Sequence, residues 1–161
     1  MKRSFALFLV LILSCLLFVS CKETAVKYPA WKDTVELFGD GTYQIVRGNF
    51  EGKEQKSLSF SPAGVGLIPE VKSYCEQNGR VYLTGVDEGY YISGKKVSWK
   101  FEVYAVIDLS NNHIQICAVP EIASEYEFDI DSTAMDTGLI TTLGSFSDFS
   151  TSDRTILETL Q

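Results

Sequence analysis

The sequence predicts an α+β fold: mostly an antiparallel β meander, with one helix packed on the sheet and a short helix that could end the chain. Three observations lead to this prediction. One long stretch alternates apolar and other residues strictly, several glycine and asparagine residues stand where hairpin turns need them, and one short stretch has helical spacing.

The first predicted element is a hairpin over Asp33–Arg47. Alternating apolar residues precede Gly39-Asp40-Gly41, and glycine accepts the positive φ that a tight turn requires. The return strand, Thr42–Val46, is rich in residues of high β propensity. Leu58–Phe60 is predicted to be a further short strand.

Pro69–Gln77 is the predicted helix that packs on the sheet. Proline suits the first position of a helix, and Asn78-Gly79 is a signal that ends one. Ile68, Val71 and Cys75 are spaced to lie on one helical face. Because the stretch is short, packing on the sheet would have to stabilise it.

Three further strands are predicted after this helix. Arg80–Val86 is the first, and a turn at Asp87-Glu88-Gly89 would separate it from another at Tyr90–Ser93. The strongest signal follows in residues 97–109, which have the alternation of a long half-buried strand. Its seven apolar positions are Val97, Trp99, Phe101, Val103, Ala105, Ile107 and Leu109.

A two-residue turn at Asn111-Asn112 would join this strand to Ile114–Val119, since asparagine tolerates a left-handed backbone. The turn predicts a central hairpin with its apolar side chains on one face. The predicted pairs are Leu109 with Ile114, Ile107 with Ile116, and Ala105 with Ala118.

The outer face of the long strand carries Tyr104 and Val106, which are apolar where a polar face is expected. Either a second layer covers them or they form a contact surface, and we favour the helix at Pro69–Gln77 as the cover. Beyond Pro120, residues 121–138 are acidic and weakly patterned, and Leu139–Phe149 could form a strand. Ser152 or Asp153 is predicted to cap a final helix that runs to Leu160.

The first 20 residues predict an export signal. Lys2 and Arg3 precede an apolar stretch that is too short for a permanent membrane span. Val19-Ser20-Cys21-Lys22 resembles the lipobox of bacterial lipoproteins, with Phe18 standing where that family prefers leucine. The resemblance implies cleavage after Ser20, acylation of Cys21 and attachment to a membrane of the cell envelope, facing the periplasm or the exterior. A plain signal peptide, or an uncleaved helix, with an incidental Cys21 is the alternative.

Cleavage would leave 141 residues, enough for one domain. We expect residues 21–30 to be a lipidated tether and residues 31–161 to be a single, monomeric, β-rich domain. Cys75 and Cys117 would then remain as a pair, which could form a disulfide in an oxidising compartment or stay as two buried thiols.

The net charge of −7 is unevenly distributed. Residues 101–161 hold one basic residue, Arg154, against 11 acidic ones. Such an acidic half argues against nucleic-acid binding and permits a basic protein partner or a divalent cation. A solvated acidic face that aids solubility is the simpler interpretation.

Three sets of residues in the sequence are candidates for a catalytic or cation-binding site. Asp129, Asp131 and Thr133 resemble the start of a calcium loop, but Ala134 and Ile140 stand where that loop needs glycine and glutamate. His113, the only histidine, is predicted to be exposed at the hairpin tip. Glu102 could face a second carboxylate across a cleft, as in glycoside hydrolases.

No cofactor or resident metal is predicted, because the sequence lacks CxxC and cysteine–histidine clusters. The sequence therefore favours a non-catalytic lipoprotein that presents a β-rich domain for protein contact, as accessory subunits, inhibitors or immunity proteins do. A small extracytoplasmic hydrolase that uses carboxylates is the alternative, and a structural envelope component is a third reading.

Overall fold

The computed structural model describes residues 26–50, 52–92, 95–119 and 138–161, with residues 50 and 88–99 described by their backbone alone. The predicted signal segment and the acidic stretch from 120 to 137 lie outside these ranges. Among the described residues, no helix is both long and apolar enough to cross a membrane.

Four strands form the first sheet, which we call sheet A: β1 (Thr34–Phe38), β2 (Tyr43–Phe50), β3 (Lys53–Phe60) and β4 (Val65–Ile68). They are antiparallel and follow one another in chain order. The predicted hairpin at Asp33–Arg47 is confirmed, with Phe38 paired with Tyr43 across the glycine-rich turn. The predicted short strand at Leu58–Phe60 is the end of the longer strand β3.

Five strands form the second sheet, sheet B: β5 (Glu70–Gln77), β6 (Arg80–Ile92), β7 (Lys95–Asp108), β8 (His113–Val119) and β9 (Ile140–Leu143). The first four are an antiparallel meander. β9 pairs with β8 in parallel, so the sheet departs from a pure meander at this edge.

A 3₁₀ turn (Phe146–Asp148) and helix α1 (Thr151–Thr159) end the chain. The predicted final helix is confirmed, but the predicted cap at Ser152 or Asp153 is wrong. The N-cap is Ser150, whose hydroxyl accepts a hydrogen bond from the backbone amide of Asp153. A serine at this position satisfies an amide that the helix itself leaves without a partner.

The main core lies between the two sheets. Sheet A supplies buried residues such as Ile45 and Phe60, and sheet B supplies Leu83, Ala105 and Ile107. Because side chains alternate along each strand, every second residue near the end of β7, from Val103 to Ile107, faces this core. Val103, Ala105 and Ile107 are thus confirmed as inward-facing.

Helix α1 covers the opposite face of sheet B. Leu157 is fully buried there against a cluster that includes Tyr82, Tyr104 and Val106. A second layer thus covers Tyr104 and Val106, but the prediction that Pro69–Gln77 supplies this layer is wrong, because α1 supplies it.

The predicted helix at Pro69–Gln77 is wrong, because these residues form β5 and pair with β6. Asn78 and Gly79 have φ angles of 55° and 73°. Two consecutive positive φ angles are the signature of a two-residue type I′ hairpin turn. The Asn-Gly pair therefore reverses the chain between two strands, where the sequence analysis took it as a helix stop.

The predicted register of the β7–β8 hairpin is wrong by two residues. Ile107 pairs with Ile114, and Asp108 with His113, so the connection has four residues where two were predicted. Only Asn112 of the asparagine pair has a positive φ, whereas a type I′ turn needs two. A shift of two residues preserves the face on which each side chain lies, so the inward residues are unchanged.

The predicted turn at Asp87-Glu88-Gly89 is also wrong, because β6 continues through these residues to Ile92. Gly89 pairs with Trp99, and the register becomes irregular between Gly89 and Tyr91. The glycine thus stands beside an irregularity within a strand, which is a common position for glycine in sheets.

Candidate functional site

Several predicted site residues lie outside the described part of the chain. These are Cys21, the predicted lipid attachment point, and Asp129, Asp131 and Thr133, the weak candidates for a cation site. Among the residues that are described, no three histidine, cysteine or acidic side chains are grouped so that they could hold a metal ion.

Cys75 and Cys117 both lie on the helix-covered side of sheet B, but they are on different strands, β5 and β8. Strands β6 and β7 run between them. At about 4.8 Å per strand spacing, the two Cα atoms are about 14 Å apart, whereas a disulfide requires less than about 7 Å. At this separation Cys75 and Cys117 are not bonded to each other, and burial raises the pKa of the Cys75 thiol.

His113 stands at the start of β8, in the body of the sheet, and is partly exposed. Its Nε2 atom lies 2.7 Å from the Thr142 hydroxyl on β9, and its backbone pairs with Asp108 on β7. A hydroxyl, an imidazole and a carboxylate are therefore neighbours, in the order that nucleophilic catalysis uses.

The remaining geometry of such a triad is not met. The Asp108 carboxylate accepts two hydrogen bonds from Ser110, one from its backbone amide at 2.9 Å and one from its hydroxyl at 2.5 Å. These two hydrogen bonds, with smaller contributions from nearby positive charge, lower the pKa of Asp108. The carboxylate thus fixes the β7–β8 loop rather than orienting the imidazole.

Glu102 lines a shallow depression of about 370 Å³ on the helix side of sheet B. It is the only acidic side chain among the described residues that line this depression. The Tyr104 hydroxyl donates to Glu102 at 3.2 Å and accepts from the Gln161 amide at 2.7 Å. Glu102 therefore helps to hold the end of the chain, and the predicted second carboxylate is not among its described neighbours.

Asp153 is the centre of a buried polar network that the sequence analysis did not find. Its carboxylate accepts hydrogen bonds from Arg80 Nη1, which lies 3.1 Å from each carboxylate oxygen, from the Tyr82 hydroxyl at 3.0 Å and from the Ser150 hydroxyl at 2.7 Å. Burial alone would raise the pKa of Asp153, but the hydrogen bonds from Ser150 and Tyr82 and the charge of Arg80 outweigh it and lower the pKa. This network fastens α1 to β6.

Gln44 is the centre of a second buried network, which fastens the N-terminal segment to sheet A. The side chain is completely buried, although glutamine is usually exposed. Its oxygen accepts from the Trp31 amide (3.2 Å) and the Thr34 hydroxyl (2.6 Å), and its nitrogen donates to Pro29 O (3.2 Å), Ser61 Oγ (2.8 Å) and Gly41 O (3.5 Å). Part of the predicted tether, residues 27–30, is thus bound to the domain.

One end of the sandwich, which we call the N-terminal end, holds this segment together with two turns. The backbone amides of Lys27 and Tyr28 donate to Asp40 O in the β1–β2 turn. A polar cleft of about 570 Å³ lies here, and its lining also includes Ser110 and Asn112 from the β7–β8 loop. Lysine and acidic side chains both line the cleft, so its charge selects neither anions nor cations.

A two-stranded ribbon extends from the opposite end of sheet B. We define the ribbon as Asp87–Ile92 of β6 and Lys95–Phe101 of β7, which pair with each other. The pairing of β5 with β6 stops at Val86, and the pairing of β8 with β7 stops at Glu102. At about 3.3 Å per residue, the ribbon projects about 20 Å beyond the strands that flank its base.

The pairing and the sequence of the ribbon distinguish it from the rest of sheet B. Among the described strands, none pairs with the ribbon along its two edges, and unpaired strand edges can accept added strands from other chains. The ribbon sequence is aromatic, with Tyr90, Tyr91 and Trp99, and aromatic residues are enriched in protein interfaces. The ribbon is not evident from the sequence, because Asp87-Glu88-Gly89 has the composition of a turn.

Comparison of the chain with protein-family models, curated proteins and solved structures finds no match to any of the three. Any functional argument therefore depends on this chain's own residues.

Proposed function

We propose that this chain is a lipoprotein of the bacterial cell envelope, attached through Cys21, that presents a β-rich domain for contact with another protein. The observation that carries the proposal is the position of the ribbon. Lys27 and Tyr28 fix the start of the domain at the N-terminal end, and β6 runs from that end, at Arg80, to the ribbon. A membrane anchor at Cys21 would thus leave the ribbon about 40 Å away, facing outward.

The partner that we propose is a basic protein. Residues 120–137 contain six acidic residues and no lysine or arginine, and they begin directly after Val119, which pairs with Glu102 at the base of the ribbon. Opposite charge on a partner would accelerate encounter and select against acidic proteins. The described acidic residues of this half, in contrast, are largely occupied by internal contacts, as Asp108 and Asp153 show.

The proposal is tested by photo-crosslinking in intact cells. A benzophenone amino acid at Tyr91, on the ribbon, should give one discrete protein adduct, and its yield should fall as the ionic strength is raised. The matched control carries the same group at Thr155, which is exposed on α1, and should give no such adduct. Equal adducts at both positions, or none at Tyr91, would show that the ribbon is not the contact.

A further inference from the structure

We propose that the N-terminal end of the domain rests on the bilayer and inserts Trp31 into its interface, so that the domain is held in one orientation rather than swinging on its tether. This inference rests on the proposed lipidation of Cys21 and adds a second, non-covalent contact to it. The contact surface, which we call the membrane-facing patch, consists of Val26, Trp31 and Val35.

The exposure of these three side chains is the first argument. They are 56%, 39% and 37% exposed, although all three are large and apolar. They fall within the first ten described residues, and the fixed hydrogen bonds of Lys27, Tyr28 and Trp31 hold that stretch on the domain. Exposed apolar side chains that recur within ten residues of a fixed segment indicate a contact surface.

The length of the remaining chain identifies what covers the patch. Four residues lie between Cys21 and Val26, and the five steps of an extended chain at about 3.6 Å each span at most about 18 Å. Acyl chains on Cys21 lie in the bilayer, so Val26 cannot move farther than this from the membrane surface. A bilayer is the one apolar phase that is always within reach of the patch.

The residue types in this segment also favour the bilayer as the surface that the membrane-facing patch contacts. Tryptophan and tyrosine prefer the membrane–water interface, where the ring is in an apolar region and the polar group meets water. Trp31 and the half-buried Tyr28 both lie in this segment. Residues 22–36 hold three lysines and three acidic residues, so headgroup charge should have little influence and apolar insertion should dominate.

The two tryptophans of the chain allow a direct test in the full-length, lipidated protein. Trp31 is in the membrane-facing patch, and Trp99 is in the ribbon, paired with Gly89 and about 30 Å from Arg80. The protein is reconstituted into phosphatidylcholine vesicles with and without bromine on the acyl chains close to the glycerol. Bromine quenches indole fluorescence only at short range.

Trp99→Phe leaves Trp31 as the sole emitter, and its fluorescence should fall about twofold in brominated vesicles, since interfacial groups reach about 5–10 Å into the bilayer. Trp31→Phe leaves Trp99, whose emission should not change. The unsubstituted protein should lose an intermediate fraction of its tryptophan fluorescence in brominated vesicles. This measurement still tests the proposal if one of the variants does not fold. Phosphatidylglycerol vesicles should give the same result.

Three contrary outcomes are distinguishable. Lipidated, vesicle-bound protein in which Trp31 is not quenched would overturn the orientation and leave the anchor intact. Protein whose mature mass lacks acyl chains and which does not bind vesicles would instead overturn the proposed anchor. Quenching of Trp99 alone would place the ribbon, rather than the patch, at the membrane.

Discussion

The Arg80 guanidinium lies 3.1 Å from both carboxylate oxygens of Asp153, and this contact joins the first residue of β6 to helix α1, 73 residues later in the chain. Asp153 is almost fully buried, whereas Arg80 is partly exposed. The contact therefore gives the helix a fixed position on the sheet, in addition to the apolar packing of Leu157.

Asp153→Asn should destabilise the domain by about 1–3 kcal/mol, because it weakens charge-assisted hydrogen bonds to three partners. Urea denaturation of the purified domain measures this change. Glu158→Gln, an exposed change on the same helix, is the control and should stay within about 0.5 kcal/mol. Equal effects of the two substitutions would show that the network contributes little.

The same carboxylate predicts a pH dependence. The folded-state pKa of Asp153 is lowered from its ordinary value of 3.8, so its contribution to stability is complete above about pH 5. It is lost as the pH falls through the lower folded-state value. The difference in unfolding free energy between the natural protein and Asp153→Asn should therefore be constant above pH 5 and shrink below pH 4. A constant difference down to pH 2 would contradict the assignment.

Two buried tyrosines should respond in opposite directions to loss of the hydroxyl. The Tyr43 hydroxyl is buried and has no hydrogen-bond partner among the described residues, and burial raises its pKa. Tyr43→Phe should therefore be neutral or stabilise by about 1 kcal/mol. Tyr82→Phe removes a donor to Asp153 and should destabilise by about 1–2 kcal/mol. Thermal melting of both variants measures whether each substitution raises or lowers the stability of the domain.

The core prediction compares Ile107 with His113. Ile107→Ala should cost about 2–5 kcal/mol, because the side chain is fully buried between the sheets. His113→Ala removes one partly exposed hydrogen bond to Thr142 and should cost at most about 1 kcal/mol. Comparable losses in chemical denaturation would mean that His113 has a larger role than this contact.

Gly85 should tolerate no side chain. An added Cβ would lie 2.4 Å from the Glu70 carbonyl oxygen and 3.1 Å from Ile68, where the chain passes from sheet A to sheet B. Gly85→Ala should destabilise by about 2 kcal/mol or more, since backbone must move. Gly66→Ala serves as the control, because a Cβ added at Gly66 would have no atom within 4 Å. Soluble yield and melting temperature of the two variants report the difference.

The alternation of residues 97–109 was sufficient to predict the central strand and its inward face, because side-chain direction in a strand depends on parity alone. Register was not predictable to the same degree. It depends on how many residues the β7–β8 loop uses, and hydrogen bonds of Ser110 and His113 to nearby side chains favour the four-residue form.

Pro69–Gln77 shows why local signals failed elsewhere. Proline before the stretch, Asn-Gly after it and apolar residues at helical spacing are each compatible with a strand that starts after Pro69 and ends in a hairpin. Pairing with β6 decides between them, and that information is not local. The same holds for Asp153 and Gln44, whose partners Arg80 and Ser61 are distant in the sequence.

The Gln44 network also determines where the domain could be released from a membrane without damage. A protease that cuts between residues 22 and 25 would shed a domain whose buried amide still has all its partners. A cut after Pro29 would remove the hydrogen bonds of Lys27 and Tyr28 to Asp40 and that of Gln44 to the Pro29 carbonyl, each worth about 0.5–1.5 kcal/mol, although Ser61 and Gly41 would still accept from the Gln44 amide. Shed protein that begins near Val26 should therefore survive outside the cell, whereas a chain trimmed a few residues further should be degraded faster.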